Sequence, residues 1–290
     1  DTGKKQVFTD AGMEQSYDKI LISTGASAYV PPFLRCERKQ VFLMRTLEEA
    51  RSLRRYLNET PVKTAAVVGG SMAGIKVAEL LYRRGIKTEI IDAAPWLFPL
   101  AAHRHIAEKI EERLKGMGIG LSMNKLVEKV SERGVEFKDG SCVEAELVCL
   151  CVGTRANVEL ISNTDVVKDE NILIRKGIVI DSHSMTSCRD IYAAGDCSEG
   201  MNLQSHETAV IGLWANAAMQ GACAGKNMAG LDTEYYGNIL HNITHFLNMD
   251  FIGLGNPALE GEMSRFEFQD FEASVVMKDG QIQSINILGN

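Results

Sequence analysis

Residues Ala65–Asp92, AAVVGGSMAGIKVAELLYRRGIKTEIID, read as strand, glycine turn, helix, strand and terminal carboxylate. Ala65–Val68 is a short apolar run of the kind that is buried in a sheet. Gly69, Gly70, Ser71 and Gly74 follow in the places of a G-x-G-x-x-G loop, with Ser71 for the middle glycine. Met72–Arg84 predicts a helix with Ala73, Val77, Leu80 and Leu81 on one side, and Gly85 stops it. Thr88–Ile91 is the second strand, and Asp92 closes it.

Chemistry explains this spacing. Gly69 allows the tight turn out of the strand, and a small residue at 71 lets backbone approach a diphosphate. Gly74 lets the helix pack close to the strand. The helix start at Met72 and Ala73 supplies free N–H groups and a partial positive charge. Asp92 is placed to accept hydrogen bonds from a ribose 2′-hydroxyl. A 2′-phosphate would be repelled there, and Ala93-Ala94-Pro95 offers no arginine to hold one. The reading is therefore a dinucleotide site for NAD rather than NADP.

The rest of the chain bounds what surrounds this unit. Its 290 residues are 45% hydrophobic and 24% charged, which suits a globular protein of about two domains. A net charge of −7 argues against general affinity for nucleic acid or an anionic membrane. No apolar run approaches the roughly 20 residues that span a bilayer, and no signal peptide is expected. The seven cysteines (Cys36, Cys142, Cys149, Cys151, Cys188, Cys197, Cys223) contain no C-x-x-C pair. They read as reduced core thiols of a cytoplasmic protein.

Along the chain, Lys5–Thr9 and Tyr17–Ser23 predict a hairpin-like pair with Asp10-Ala11-Gly12 as its turn. Thr46-Leu47-Glu48-Glu49 is a capping box that starts a helix to about Asn58, with Leu47, Ala50, Leu53 and Leu57 as its stripe. His103–Met117 repeats Ile106, Ile110, Leu114 and Met117 at helical spacing. Short strands are expected at Ile119–Met123, Leu126–Val130, Gly134–Phe137, Cys142–Glu144, Glu146–Val152, Gly177–Asp181 and Asp190–Ala194. Glu207–Met228 predicts a long small-residue helix closed by Gly230. Beyond Leu231 the pattern turns to alternating strands.

Four stretches in order carry a family resemblance: YDKILISTGASAYVPP (17–32), VVGGSMAGIKVAELLYRRGIKTEIID (67–92), ELVCLCVGTRANVEL (146–160) and MTSCRDIYAAGDC (185–197). LWANAAMQGACAGKNMAG (213–230) is a fifth. Together they resemble the pyridine nucleotide-disulfide oxidoreductase family of FAD- and NAD(P)H-dependent enzymes. Within it, the chain is most similar to the NADH:rubredoxin reductase, nitrite reductase flavoprotein and NADH oxidase group. The resemblance implies an α/β, Rossmann-like fold with two nucleotide-binding domains and a small α+β C-terminal domain. Residues 1–45 and 154–231 would form the FAD domain, 46–153 the NAD domain and 232–290 an interface-like domain.

The same resemblance assigns roles. Thr24-Gly25 matches a motif near the FAD diphosphate, with Ser23 replacing its alanine. Asp196, after Gly195, matches the aspartate that binds the FAD ribityl chain, and a carboxylate directly after a strand end suits polyol hydroxyls. Leu213 and Trp214 match a helix start whose N–H groups face the flavin pyrimidine edge. Gly153 matches the turn at the base of the NAD site. The implied activity is an NADH-dependent flavoprotein oxidoreductase passing hydride to flavin and electrons to an acceptor such as rubredoxin or a nitrite reductase partner. A disulfide, persulfide or coenzyme A-disulfide reductase and an NADH oxidase are the alternatives within the class. A non-catalytic NAD-binding module is the alternative outside it. Some relatives imply a homodimer through the terminal domain.

Departures from the family pattern matter too. Relatives open with a separate strand–Gly-rich turn–helix for the FAD adenosine half, and the redox cysteines of disulfide-reducing members lie there. The sequence begins at Asp1, not Met, without such a unit, so a truncated FAD domain is expected, and the close at Asn290 predicts a shortened last domain. Lys76 stands where many relatives carry glutamate, either drawing a diphosphate or solvated. Four further candidates stay open. His241 and His245 have a metal-like spacing but no partner cluster, and His103 and His105 would face different ways on a helix. His206 could approach the flavin or sit on the surface, and Trp96 could shield adenine or pack in the core.

Overall fold

The computed structural model describes residues 3–34, 39–162 and 172–289; Cys36 lies outside them. Among the described residues the helices are α1 (Leu47–Glu59), α2 (Met72–Arg83), α3 (Arg104–Met117), α4 (Glu159–Ser162) and α5 (Trp214–Met228). The chain divides into two compact units, Asp1–Ser27 with Thr154–Leu240, and Ala28–Gly153 with His241–Asn290.

The second unit is built on a five-stranded parallel sheet. Its order is Val41–Leu43, Leu147–Leu150, Thr64–Val68, Lys87–Ile91, Gly120–Ser122. Strand residues alternate between faces, so each central strand feeds two cores. Ala65, Val67, Ile90, Leu147 and Cys149 pack against Ile75, Ala78 and Leu81 of α2 and Ile106, Ile110 and Leu114 of α3. Ala66, Val68, Ile91, Val148 and Leu150 pack instead against Val130, Val135 and Phe137. Those three come from an antiparallel meander, Val127–Ser131, Gly134–Phe137 and Cys142–Glu144.

Local chemistry sets the helix ends. Thr46 accepts from the Glu49 amide while the Glu49 carboxylate accepts from the Thr46 amide, completing the expected capping box. In α2 the buried face is Gly74, Ile75, Val77, Ala78, Glu79 and Leu81. Of the expected stripe, Val77 and Leu81 are buried, but Leu80 is 54% exposed and Ala73 is exposed too. The α2 side chains meet a parallel strand on one side and the C-terminal sheet on another, so the buried arc is wider and rotated relative to an amphipathic stripe.

Five antiparallel strands complete this unit, in the order His241–Phe246, Met249–Gly255, Gln281–Gly289, Phe271–Lys278, Glu262–Glu267. Phe246, Phe251 and Leu288 enter the same core as α2 and α3. Phe98 bridges them, its ring 6.2 Å from Phe246 and 5.3 Å from Phe251 in edge-on geometry.

The first unit pairs Ile20–Ile22 in parallel with Ile191–Ala193. Ile22, Ile178, Ile191, Ala193 and Cys197 form its core. The expected hairpin of Lys5–Thr9 with Tyr17–Ser23 is corrected. Gln6–Phe8 pairs with Glu14–Ser16, and the YDKILIS run goes to a parallel strand. The tight turn at Gly12 (φ +76°) leaves its closing strand only the polar Glu14–Ser16, while the apolar run is claimed by the core. The helix expected from Glu207 starts only at Trp214, because Glu207–Ala209 pairs antiparallel with Ser198–Asn202.

Candidate functional site

In the second unit the glycine turn closes on itself. The Gly69 amide donates to the Ile91 carbonyl at 2.8 Å, tying the turn to the second strand. Gly69 has φ +110°, and a Cβ there would lie 2.3 Å from the Cys151 carbonyl oxygen. A Cβ on Gly74 would lie 1.9 Å from the Gly69 carbonyl oxygen. No side chain fits at either position, which is the close packing that the spacing predicts. Ser71 is the N-cap of α2: its Oγ accepts from the Gly74 amide at 3.3 Å and donates to the Cys151 carbonyl at 3.2 Å. Among the described residues, no side chain caps the amides of Met72 and Ala73.

Asp92 sits beside this turn. Its Oδ2 accepts from the Gly70 amide at 2.5 Å and its Oδ1 from the Ala94 amide at 2.8 Å. A carboxylate has about four lone-pair sites, so each oxygen can still accept from a hydroxyl. Gly153, at the end of the neighbouring strand, has φ +103°, and its carbonyl accepts from the Tyr29 amide. The structure thus brings Gly69, Gly70, Ser71, Met72, Ala73, Gly74 and Asp92 to one end of the parallel sheet.

Lys76, its side chain 45% exposed, is also held by two hydrogen bonds. Its Nζ donates to Glu79 Oε2 at 3.0 Å and to the His245 carbonyl at 3.3 Å. Arg83 donates to Glu79 Oε1 at 2.7 Å and to Asn248 Oδ1 at 3.3 Å. Burial pushes the Glu79 carboxyl up. Hydrogen bonds from Lys76 and the Leu247 amide, with the charges of Lys76 and Arg83, outweigh it and hold the group below the usual carboxylate range.

In the first unit, Thr24-Gly25 is strapped by a residue the sequence reading missed. Asn157 donates through Nδ2 to the Thr24 carbonyl at 2.9 Å, and its own amide donates to the Gly25 carbonyl at 2.9 Å. The Thr24 hydroxyl donates back to the Asn157 carbonyl at 2.6 Å. Gly25 has φ +68°. Asp196 follows the buried strand Ile191–Ala193 and the left-handed Gly195 (φ +83°). A Cβ on Gly212 would lie 3.8 Å from the Asp196 carboxylate, so the backbone entering α5 passes directly beside it. Leu213 is the N-cap of α5 with no side-chain cap, and Trp214 is 91% exposed. Asp196, Leu213 and Trp214 therefore share one edge of this unit. Asn216 and Gln220 were also missed; two amides four apart in an expected small-residue helix were the available signal.

The remaining candidates resolve differently. His241 and His245 lie on a strand, His245 pairs with Asp250 at 2.8 Å, and no group of three His, Cys, Asp or Glu among the described residues could hold a metal. His206 is an exposed turn residue with φ +56°. Trp96 packs against the core with Arg104 over its ring. His103 is not on a helix face but is the N-cap of α3, 2% exposed. Its ring nitrogens lie 2.7 Å from Ser274 Oγ and 2.8 Å from Ser284 Oγ, and its ring stacks with His105. Burial, with the charges of His105 and Arg265, pushes His103 down to about 4. Among the described residues no helix is long and apolar enough to cross a membrane.

A parallel sheet with a glycine turn, a helix start whose first amides are open and a strand-end carboxylate defines a Rossmann-like dinucleotide-binding α/β protein. The family described as pyridine nucleotide-disulphide oxidoreductase matches residues 1–221, and the chain belongs to that family. An NADH oxidase of Methanocaldococcus jannaschii is 30% identical over 256 residues, 87% of this chain and 56% of that protein. A rubredoxin-NAD(+) reductase of Pseudomonas putida is 28% identical over 241 residues, 80% of this chain and 60% of that protein. The chain thus spans less than two thirds of either relative. The fold is shared with a NAD-dependent persulfide reductase from A. fulgidus, with a TM-score of 0.89 at 21% identity, covering 100% of this chain and 57% of that one.

Proposed function

We propose that this chain belongs to an NADH-dependent FAD oxidoreductase that delivers electrons to a redox-protein acceptor. The unit portion Ala28–Gly153 serves the nicotinamide nucleotide, Asp1–Ser27 and Thr154–Leu240 serve FAD, and the sheet within His241–Asn290 is the surface through which two copies pair. The observation that carries the reading is Asp92, fixed by the Gly70 and Ala94 amides at the end of the dinucleotide strand. In this role Gly69–Gly74 hold the diphosphate of NADH and Asp92 its adenine ribose, while Gly153 forms the turn at the base of the site. Thr24-Gly25 approach the FAD diphosphate, Gly195-Asp196 the ribityl hydroxyls, and Leu213 and Trp214 present the amides of the α5 start to the flavin ring. FAD bound there supplies the hydride acceptor. The protein's part is to orient the two cofactors and exclude water, with no side chain required as acid or base.

An electron-carrier acceptor needs only an exposed flavin edge, whereas a disulfide or persulfide needs a low-pKa thiolate; burial pushes Cys149 up and Cys151 up to about 12, so neither of these two serves as that thiolate. Cys188, Cys197 and Cys223 are buried, in keeping with the core role read from the sequence.

The test is Asp92→Arg, read as NADH and NADPH dissociation constants. We expect NADH to weaken and NADPH to tighten, shifting the ratio by roughly tenfold or more, as a lost charge-assisted hydrogen bond implies. An unchanged ratio removes Asp92 from the ribose site. Anaerobic addition of NADH to the flavin-loaded protein should bleach its visible band; NADH binding without bleaching would favour a nucleotide-binding module instead.

A further inference from the structure

We infer that Gln220 and Asn216, four residues apart on α5, are positioning residues for the flavin site. They hold the Gly195–Asp196 turn and the segment that enters α5 in register with each other. The inference rests on the flavin role proposed above for Asp196, Leu213 and Trp214.

Both side chains are about 1% exposed. Gln220 Oε1 accepts from the Gly195 amide at 2.8 Å and lies 3.0 Å from the Ser198 hydroxyl. It therefore grips the turn on both sides of Asp196. Asn216 Nδ2 donates to the Ile211 carbonyl at 3.0 Å. Ile211 immediately precedes Gly212, whose backbone passes the Asp196 carboxylate, and Leu213, the cap of α5. Tyr235, 4% exposed, joins the two amides: its hydroxyl donates to Asn216 Oδ1 at 2.7 Å and also hydrogen-bonds Gln220. Asn238 Nδ2 adds a contact to Asn216 Oδ1 at 3.3 Å. A Cβ on Gly200 would lie 2.7 Å from Gln220 Nε2, so glycine there admits the amide.

The chemistry favours positioning over packing. A buried amide is costly unless its hydrogen bonds are met, and a leucine at either place would bury more apolar area. Here the bonds reach backbone groups of the two segments that flank Asp196. Both segments lack regular structure of their own between Ala193 and Ser198 and between Ala209 and Trp214. One helix face thus sets the spacing between a carboxylate and a helix N-terminus that must contact the same ligand.

The experiment compares the parent protein with Gln220→Met, Gln220→Glu and Gln220→Asn. FAD affinity is read by fluorescence titration of the apoprotein, and amide exchange is read in the peptide covering residues 193–198. Gln220→Met should weaken FAD by roughly 10- to 100-fold, the effect of leaving a buried amide unpaired, and speed exchange at Gly195. Gln220→Glu keeps the acceptor oxygen for its two donors, the Gly195 amide and the Ser198 hydroxyl, and should retain more affinity than the asparagine variant. Gln220→Asn keeps the amide but falls one methylene short, and should bind like the methionine variant. Should Gln220→Met not fold by circular dichroism, the Glu–Asn pair decides alone, since a packing role predicts that the uncharged asparagine is the better substitute. A parent that takes up no FAD overturns the flavin reading and this inference together. A parent that binds FAD alongside a folded Gln220→Met or Gln220→Asn of equal affinity overturns the inference alone.

Discussion

His103 is where a single side chain carries most consequence outside the nucleotide turn. Its ring is enclosed by Ser274 and Ser284 of adjacent strands, while its backbone amide donates to Asn286 Oδ1 at 2.5 Å. The folded ring titrates at about 4 and the ordinary value is 6.5. Between those two values the unfolded chain binds a proton that the folded chain refuses. Stability therefore falls as the pH drops from 6.5 towards 4, and the loss levels off below that. The full difference corresponds to about 3 kcal/mol. Denaturant melts of the parent and of His103→Gln at pH 7 and pH 4 should show the parent losing about that much more than the variant; equal losses would place the acid sensitivity elsewhere. H-x-H was visible in the sequence, but not the cage, because Ser274 and Ser284 are far along the chain and a serine has no local signature of facing a histidine.

Helix α2 shows what a periodic pattern does and does not fix. Its start at Ser71–Met72 and its stop near Gly85 follow from capping and glycine chemistry, both local. Its phase does not, because two partners share the helix. Leu81, 2% exposed, lies in the core beside Ile75 and Ala78, whereas Leu80 is 54% exposed. Leu81→Ala should cost about 2–5 kcal/mol through lost burial and a residual cavity. Leu80→Ala should stay within about 0.5 kcal/mol. Chemical denaturation of the two variants measures the contrast, and a reversed order would place Leu80 rather than Leu81 in the core. The same limit explains Glu207–Ala209. Its residues suit a helix, but pairing with Ser198–Asn202 is a long-range fact that local propensity does not contain.

At the scale of the molecule, the nucleotide turn and the C-terminal sheet belong to one unit with one core. The Phe98 amide donates to the Gly70 carbonyl at 3.1 Å while its ring packs edge-on against both Phe246 and Phe251. Lys76 and Arg83 link the buried Glu79 to His245, in the first strand of that sheet, and to Asn248, in the turn that follows it. The strands themselves were legible from their alternation; their docking on α2 and α3 was not, since it depends on which aromatic side chains meet. A ligand on the turn should therefore stabilise the sheet as well. NADH at a hundred times its dissociation constant adds about 2.7 kcal/mol to a unit that unfolds cooperatively. Core amides that exchange only through that unfolding should then slow by about 100-fold in both Thr64–Val68 and Met249–Gly255. Hydrogen exchange followed by mass spectrometry resolves the two segments. Protection confined to residues 64–91 would mean that the sheet opens independently, and that the aromatic contacts at Phe98 pack the two halves together without coupling their unfolding.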